Sequence, residues 1–365
     1  MKLVLNIFYL ELDKCEHKRE EAKVRKVKVG IIGCGSIATH RHLPEYMLND
    51  HVEIVAVCDS VEERAKKKGR KYNANVYTDY KKLLSDSNIE AVSVCTPNYL
   101  HAPITIAALN AGKHVLCEKP MATSKEEALA MIEAAERNNR KLMIAHNQRL
   151  VESHVQAKKI IDSGEIGKIY SFRTAFGHGG PEGWSVDGAD SWFFQKEKAF
   201  IGAMGDLGVH KTDLLRYLLN EEIVEVAAFV ETSSKQDSTV DDNAVCILKT
   251  ETGIIGTLAA SWSYVAKEDN STIIYGEKAV LRLEDDPDYS LIVQYKNGKT
   301  DKHKLGEIQS NENGGQHNSH VIDQFINCIV EDKEVPIDGY EGMKSLNVIL
   351  ASLESYETKK IVSIE

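Results

Sequence analysis

Residues 27–38 read VKVGIIGCGSIA. The apolar run Val27 to Ile32 has the length and bulk of a buried strand, and it stops at Gly33. The pattern that follows, Gly33-x-Gly35-x-x-Ala38, is G-x-G-x-x-A placed between a strand and a helix-like segment. Gly33 permits a tight turn, Gly35 lets the backbone approach a pyrophosphate, and Ala38 is small enough for close packing of helix on strand. A helix beginning at Ser36 and Ile37 would turn its free N–H groups toward phosphate. A bare motif of this kind is weak, and the strand before it and helix after it give it weight.

Working outward, apolar runs and helix-period segments alternate as far as Ala145. The runs are Val27 to Ile32, Val52 to Cys58, Ala91 to Cys95, His114 to Cys117 and Leu142 to Ala145. Between them Val61 to Tyr72, Tyr80 to Ser85, Ala102 to Ala111 and Ser124 to Asn138 carry apolar residues at helical spacing. This alternation predicts a doubly wound parallel sheet. After about residue 165 the character changes. Ile169 to Phe176, Ile223 to Thr232, Asn243 to Lys249, Ile254 to Ser263, Ser271 to Ile274, Ala279 to Leu283 and Leu291 to Tyr295 read as strands. Turns such as Thr252-Gly253 and Asn297-Gly298 join them into a large, mostly antiparallel open sheet. Helices are expected at Gly205 to Leu219, His320 to Ile329 and Gly342 to Ser355. The expected organisation is an N-terminal extension (1–25), an α/β Rossmann domain (26–148) and an α+β substrate and assembly domain (149–365).

Composition narrows the function classes. A chain of 365 residues with 42% hydrophobic and 27% charged residues can bury about two cores. Lys plus Arg total 45 against 55 Asp plus Glu, the wrong balance for a nucleic-acid binder. The apolar stretch Leu3 to Leu10 is too short to span a membrane and is followed by charge rather than by a cleavage site. The seven cysteines form no C-x-x-C pair, which fits reduced thiols in a cytoplasmic protein. Cys117 reads as a small buried hydrophobe despite its place two residues before Lys119.

Four constellations carry chemistry. Asp59 ends the second strand 21 residues after Ala38, where a carboxylate accepts hydrogen bonds from an adenosine ribose or simply closes a turn. Its charge repels a 2′-phosphate and favours NAD, while Arg64 one helical turn on keeps NADP open. The fourth strand runs into Thr96-Pro97-Asn98 and His101, at the strand end where ligands of open α/β sheets lie. The fifth delivers Glu118-Lys119-Pro120 to the same edge. Further on, Asp206 and His210 stand at i and i+4 on one helix face behind a glycine-rich approach. A near-neutral histidine is a natural proton acceptor for an alcohol, although a capping Asp and a packed His give the same pattern. No third ligand accompanies this pair, so no metal site is expected; His178, His317 and His320 show no zinc spacing.

Taken in order, G-x-G-x-x-A, the strand-ending Asp59, Thr-Pro-Asn with His101, Glu-Lys-Pro and Gly-Asp-x-x-x-His resemble the glucose-fructose oxidoreductase / inositol 2-dehydrogenase (Gfo/Idh/MocA) family from Val27 to the end. The resemblance implies a nicotinamide-dependent dehydrogenase that oxidises a secondary hydroxyl of a sugar, inositol or related polyol. It implies cofactor contacts at Gly33, Gly35, Ser36, Ile37, Asp59, the Thr96 to Asn98 loop, His101, Glu118 and Lys119. Lys119, Asp206 and His210 would be the catalytic set, with His210 as acid/base, and His146-Asn147-Gln148-Arg149 would enter the active site. It also implies homo-dimers or homo-tetramers formed through the second sheet. Trp184, Asp187, Asp190 and Trp192 suit a hydroxylated substrate or, equally, packing. Two rival readings stay open, a hydrolase of the same family that oxidises a sugar transiently, and an NAD and sugar sensor without turnover.

Overall fold

The computed structural model describes residues 25–306 and 319–364. The expected N-terminal extension lies outside them apart from Arg25, as do Cys15 and His317.

The first sheet consists of β1 (Val27–Ile32), β2 (Val52–Cys58), β3 (Asn75–Tyr77), β4 (Ala91–Val94), β5 (His114–Cys117) and β6 (Leu142–Ile144). All its pairings are parallel, in the order β3-β2-β1-β4-β5-β6. Its strand-order reversal between β1 and β4 is the switch point where doubly wound sheets bind ligands. The crossovers are α1 (Leu43–Leu48), α2 (Glu62–Tyr72), α3 (Tyr80–Leu84), α4 (His101–Asn110) and α5 (Lys125–Arg137). Local chemistry sets their starts. Asp79 caps α3 by accepting the Lys81 N–H at 2.9 Å. Ser124 caps α5 through the Glu127 N–H (3.2 Å), and the Glu127 carboxylate reaches back to the Thr123 N–H (2.9 Å).

After α6 (Glu152–Asp162) comes β7 (Ile169–Gly177), then α7 (Lys196–Ala199) and α8 (Val209–Leu219). Strands β8 (Ile223–Glu231), β9 (Asn243–Thr250), β10 (Ile255–Ser261), β11 (Thr272–Gly276), β12 (Ala279–Leu283), β13 (Leu291–Tyr295) and β14 (Thr300–His303) follow. Helices α9 (Val321–Val330) and α10 (Gly339–Thr358) and the short β15 (Val362–Ser363) complete the described chain. The second sheet has nine strands in the order β14-β13-β12-β11-β7-β10-β9-β8-β15. Only β7 and β10 pair in parallel. Strand β9 alternates buried Ala244, Cys246 and Leu248 with exposed Val245 and Ile247, so one face of the sheet is packed and the other open.

Two core clusters result, one on each sheet. Helix α9 returns to the first of them, where Val321, Ile322, Phe325 and Ile326 pack with the parallel sheet. The strands absent from the sequence reading are β3, β14 and β15, all short and all at sheet edges, where burial imposes too little pattern to read. The expected helix from Gly342 starts at Gly339 because Asp338 caps it through the Glu341 N–H (2.9 Å). The expected helix from Gly205 opens as a π-helical turn, Met204–Gly208, before α8.

Candidate active site

The carboxyl ends of β1, β2, β4 and β5 border a cleft of about 390 Å³ whose opposite wall comes from the second half of the chain. Gly33 sits at φ 95°, and a β-carbon there would lie 2.4 Å from the Cys95 carbonyl oxygen, so only glycine lets the β1 and β4 loops meet. At Gly35 a β-carbon would meet nothing within 4 Å; its bare backbone faces open cleft. The Thr96 hydroxyl and the Trp184 indole nitrogen, both on the lining, are buried without a hydrogen-bond partner. An open glycine cradle, spare polar valences and an acid at the end of β2 together fit a dinucleotide.

Asp59 lies on the lining, and its oxygens accept the N–H groups of Cys34 and Val61, each at 2.8 Å. It therefore shapes the turn and also faces the cleft. Ser36 Oγ donates to the Trp184 carbonyl (3.0 Å) and accepts the Val186 N–H (3.1 Å). Asp187, considered in the sequence as a substrate contact, instead forms an ion pair with Arg64. Asp190 is exposed and off the cleft lining.

Pro97, Asn98 and His101 also line the cleft. Asn98 Nδ2 donates to the Ala199 carbonyl (2.9 Å), tying the β4 loop to the second half. His101 is buried between the carbonyls of Pro120 (2.7 Å) and Thr96 (2.8 Å), so its ring braces two cleft loops, and burial pushes its pKa down. Beneath Lys119, Glu118 binds His42 Nε2 (2.9 Å), while Ser93 joins His42 (3.0 Å) to Tyr46 (2.7 Å). Burial drives the Glu118 carboxyl up, but His42, Arg41 and Lys119 outweigh it and hold it at about 2.

Lys119 Nζ reaches across the cleft to Asp206, donating to Oδ1 at 2.8 Å and to the main-chain carbonyl at 3.0 Å. The other Asp206 oxygen accepts the indole N–H of the fully buried Trp262 at 3.2 Å. His210 lies one turn along from Asp206, 8% exposed, with Nδ1 lacking a partner. Burial first, then the positive field of Lys119, pushes its pKa well below the usual histidine value, so the ring is neutral and able to accept a proton. It packs against Phe176 at 5.8 Å between ring centroids.

Behind His210, Arg149 grips Asp213 with two hydrogen bonds (2.7 and 2.6 Å) and also reaches Glu341 (2.7 Å). His146 Nε2 lies 3.8 Å from the same Asp213, with neither ring nitrogen hydrogen-bonded. Gln148 donates to Asn270 (3.3 Å). The sequence reading missed the roles of Asp213, Trp262 and Asp241. Asp241 accepts the N–H groups of Gly202 (2.7 Å) and Met204 (2.8 Å), holding the turn that carries Asp206. Asp213 was visible as the i+3 neighbour of His210; the other two come from distant strand ends, beyond the reach of local spacing. Trp192 stacks on Phe193 (3.9 Å) and Trp184 meets it edge-on (5.1 Å), so the tryptophans both pack together and line the cleft. Cys117 is fully buried, its thiol pushed up to about 12 by burial. Among the described residues, no group of three or more His, Cys, Asp or Glu could hold a metal ion.

Fold and cleft define a two-part, dinucleotide-binding oxidoreductase architecture. Residues 27–146 match the "Oxidoreductase family, NAD-binding Rossmann fold" profile and residues 154–282 the "GFO/IDH/MocA C-terminal domain". The chain belongs to the Gfo/Idh/MocA family. Over 149 residues it is 43% identical to a levoglucosan dehydrogenase of Pseudarthrobacter phenanthrenivorans, covering 40% of this chain and 37% of that one. Over 231 residues it is 33% identical to an inositol 2-dehydrogenase of Salmonella typhimurium, covering 62% and 65%. The chain thus aligns with less than two thirds of the length of either relative. A solved levoglucosan dehydrogenase in complex with NADH and levoglucosan is similar throughout, with TM-score 0.81, 26% identity, and 93% of this chain and 100% of that one covered.

Proposed function

We propose that this protein is an NAD-dependent dehydrogenase that reversibly oxidises a secondary hydroxyl of a sugar, inositol or related polyol. The observation that carries the reading is the placement of a cation, a carboxylate and a neutral histidine beside a glycine-lined dinucleotide cleft: Lys119 paired to Asp206 at 2.8 Å, with His210 one turn away. Nicotinamide, when bound, supplies a hydride acceptor for the carbinol carbon. Gly35, Ser36 and Asp59 would hold the adenosine and pyrophosphate half, and the Thr96 to Asn98 loop with Glu118 the nicotinamide half. His210 takes the hydroxyl proton as the carbon–oxygen double bond forms, and returns it in the reverse direction. Lys119 stabilises the negative charge that develops on that oxygen, and Asp206 fixes the ammonium in place. Asp59 at the ribose end favours NAD.

Six described cysteines are buried and unpaired, which supports a reducing compartment, the cytoplasm. Among the described residues no helix is long and apolar enough to cross a membrane. The open sheet face, with Phe229, Val245, Ile247 and Ile255 all exposed, supports a homo-dimer or homo-tetramer.

The test is NADH formation at 340 nm with inositols, aldoses, sugar acids and anhydro sugars, alongside His210→Ala. Turnover that disappears in the variant supports the assignment. Retained NADH binding with no turnover across the panel would overturn it in favour of the transient-oxidation hydrolase or the sensor.

A further inference from the structure

Arg64 stands near the start of α2, one helical turn beyond Asp59, where a guanidinium receives the 2′-phosphate of NADP. In this structure it is engaged elsewhere, by the Asp187 carboxylate. Asp187 is held there by its own neighbours, because Ser36 Oγ binds the carbonyl of Trp184 and the N–H of Val186. The segment from Trp184 to Asp187 therefore closes over the glycine turn and carries a carboxylate to the ribose end. Ser36, Asp59, Arg64 and Asp187 all line the same cleft. Arg64 and Asp187 side chains are each 32% exposed, so this is an open-edged pair that adds little to folding and stays within reach of a ligand.

The charges lining the cleft at this end are two carboxylates and one guanidinium already committed to one of them, while Lys68, one turn further along α2, acts on Cys34 from off the lining. A ribose 2′-hydroxyl meets acceptors. A 2′-phosphate meets the like charge of Asp59 and must draw Arg64 away from Asp187 to find a bidentate partner. We propose that Asp187, contributed by the second half of the chain, determines the preference for NAD over NADP by occupying Arg64. This rests on the nicotinamide-dependent reading above. The discrimination is then shared between the two halves of the protein, and the sequence next to Asp59 would mislead if read alone.

The experiment titrates the full-length protein with NADH and with NADPH, following nucleotide fluorescence, for wild type, Asp187→Asn, Arg64→Ala and the double variant. The readout is the ratio of the two Kd values, which a merely loosened segment would leave alone because both nucleotides would weaken together. Asp187→Asn is expected to shift the ratio toward NADPH by roughly tenfold, the scale of one charge-assisted contact, and to shift it little once Arg64 is absent. Equal weakening of both nucleotides, or the same shift in the Arg64→Ala background, would overturn the assignment to Asp187 while leaving NADH binding by the wild type intact. A wild type that binds neither nucleotide, or prefers NADPH, would overturn the NAD reading and this inference with it.

Discussion

Lys119 and Asp206 meet across the cleft, one from the end of β5 and the other from the π-helical turn before α8, with Nζ 2.8 Å from Oδ1. Their side chains are 13% and 8% exposed, so the pair is poorly screened and geometrically constrained. Lys119 also bonds the Asp206 carbonyl, leaving its ammonium fixed on the protein side and open on the cleft side. Lys119→Met should therefore lower kcat by about 10²-fold or more, the scale of losing one preorganised charge at a developing oxyanion, with NADH binding largely kept. Steady-state kinetics paired with a nucleotide titration check this. A variant with kcat near wild type would remove Lys119 from the chemistry.

His210 is neutral well below the ordinary histidine range because burial and then Lys119 disfavour its charged form. A base must be unprotonated to accept the hydroxyl proton, so protonation of His210 should not limit kcat/KM for oxidation until well below pH 6.5. His210→Asn should lose about 10²-fold or more of activity across the whole pH range. An acid limb at pH 6.5 or above in the wild type, absent from the variant's residual rate, would contradict the depressed value.

Much of this was legible because the first sheet is buried on both faces. Strands β1, β2, β4, β5 and β6 are mostly apolar runs, broken only by Lys28, Glu53, Ser93 and His114, and the glycines after β1 stand where backbone approach demands them. Strand β3 escaped because Asn75-Val76-Tyr77 lies at a sheet edge, largely exposed, and makes no apolar run, whereas the equally short β6 is wholly buried. In the site, Lys119, Asp206 and His210 could be named from motif order. The side chains that hold them could not, since Trp262 and Asp241 reach the Asp206 turn across a sheet, and Asp187 reaches Arg64 across 123 residues of sequence. Those contacts depend on tertiary geometry alone.

Histidines buried in the neutral state make the fold sensitive to acid. Burial lowers His146 to about 4 and His154 to about 3, against about 6.5 in an unfolded chain. Unfolding below pH 6.5 therefore takes up protons that the folded state refuses. The stability these groups contribute is present above that value and is lost as pH falls from about 6.5 toward 4, at about 1 kcal/mol each by pH 5.5. Thermal unfolding should show Tm falling between pH 7 and pH 5.5, with a smaller fall in His154→Gln. A flat Tm over that interval would refute the argument.

Asp213 is 1% exposed and balances two buried guanidinium groups, gripping Arg149 at 2.6 Å and lying 3.9 Å from Arg216. Glu341 pairs with both arginines at the cluster's edge. Asp213→Asn keeps the shape but removes the most buried carboxylate of the cluster, leaving Arg149 to Glu341 and Arg216 to Glu341 and Glu222, so denaturant unfolding should show a loss of about 3–5 kcal/mol. A loss below about 1 kcal/mol would mean that Glu341 and Glu222 carry the balance without it.

The open face of the second sheet places Phe229 opposite Val245 and Ala227 opposite Ile247, so exposed side chains of β8 and β9 form one continuous patch. Phe229 is 73% and Ile247 53% exposed, and Ile255 on β10, opposite Lys249, is 52% exposed on the same face. An isolated chain seldom leaves such a patch to water, and a two-fold contact would cover it with its own copy. Light scattering after gel filtration should give the mass of two or four chains at micromolar concentration. Phe229→Glu combined with Ile247→Glu places two carboxylates in each copy of that contact, so the variant should elute as a monomer with unchanged circular dichroism. A wild type already monomeric under these conditions would mean that the patch serves no contact between copies of this chain.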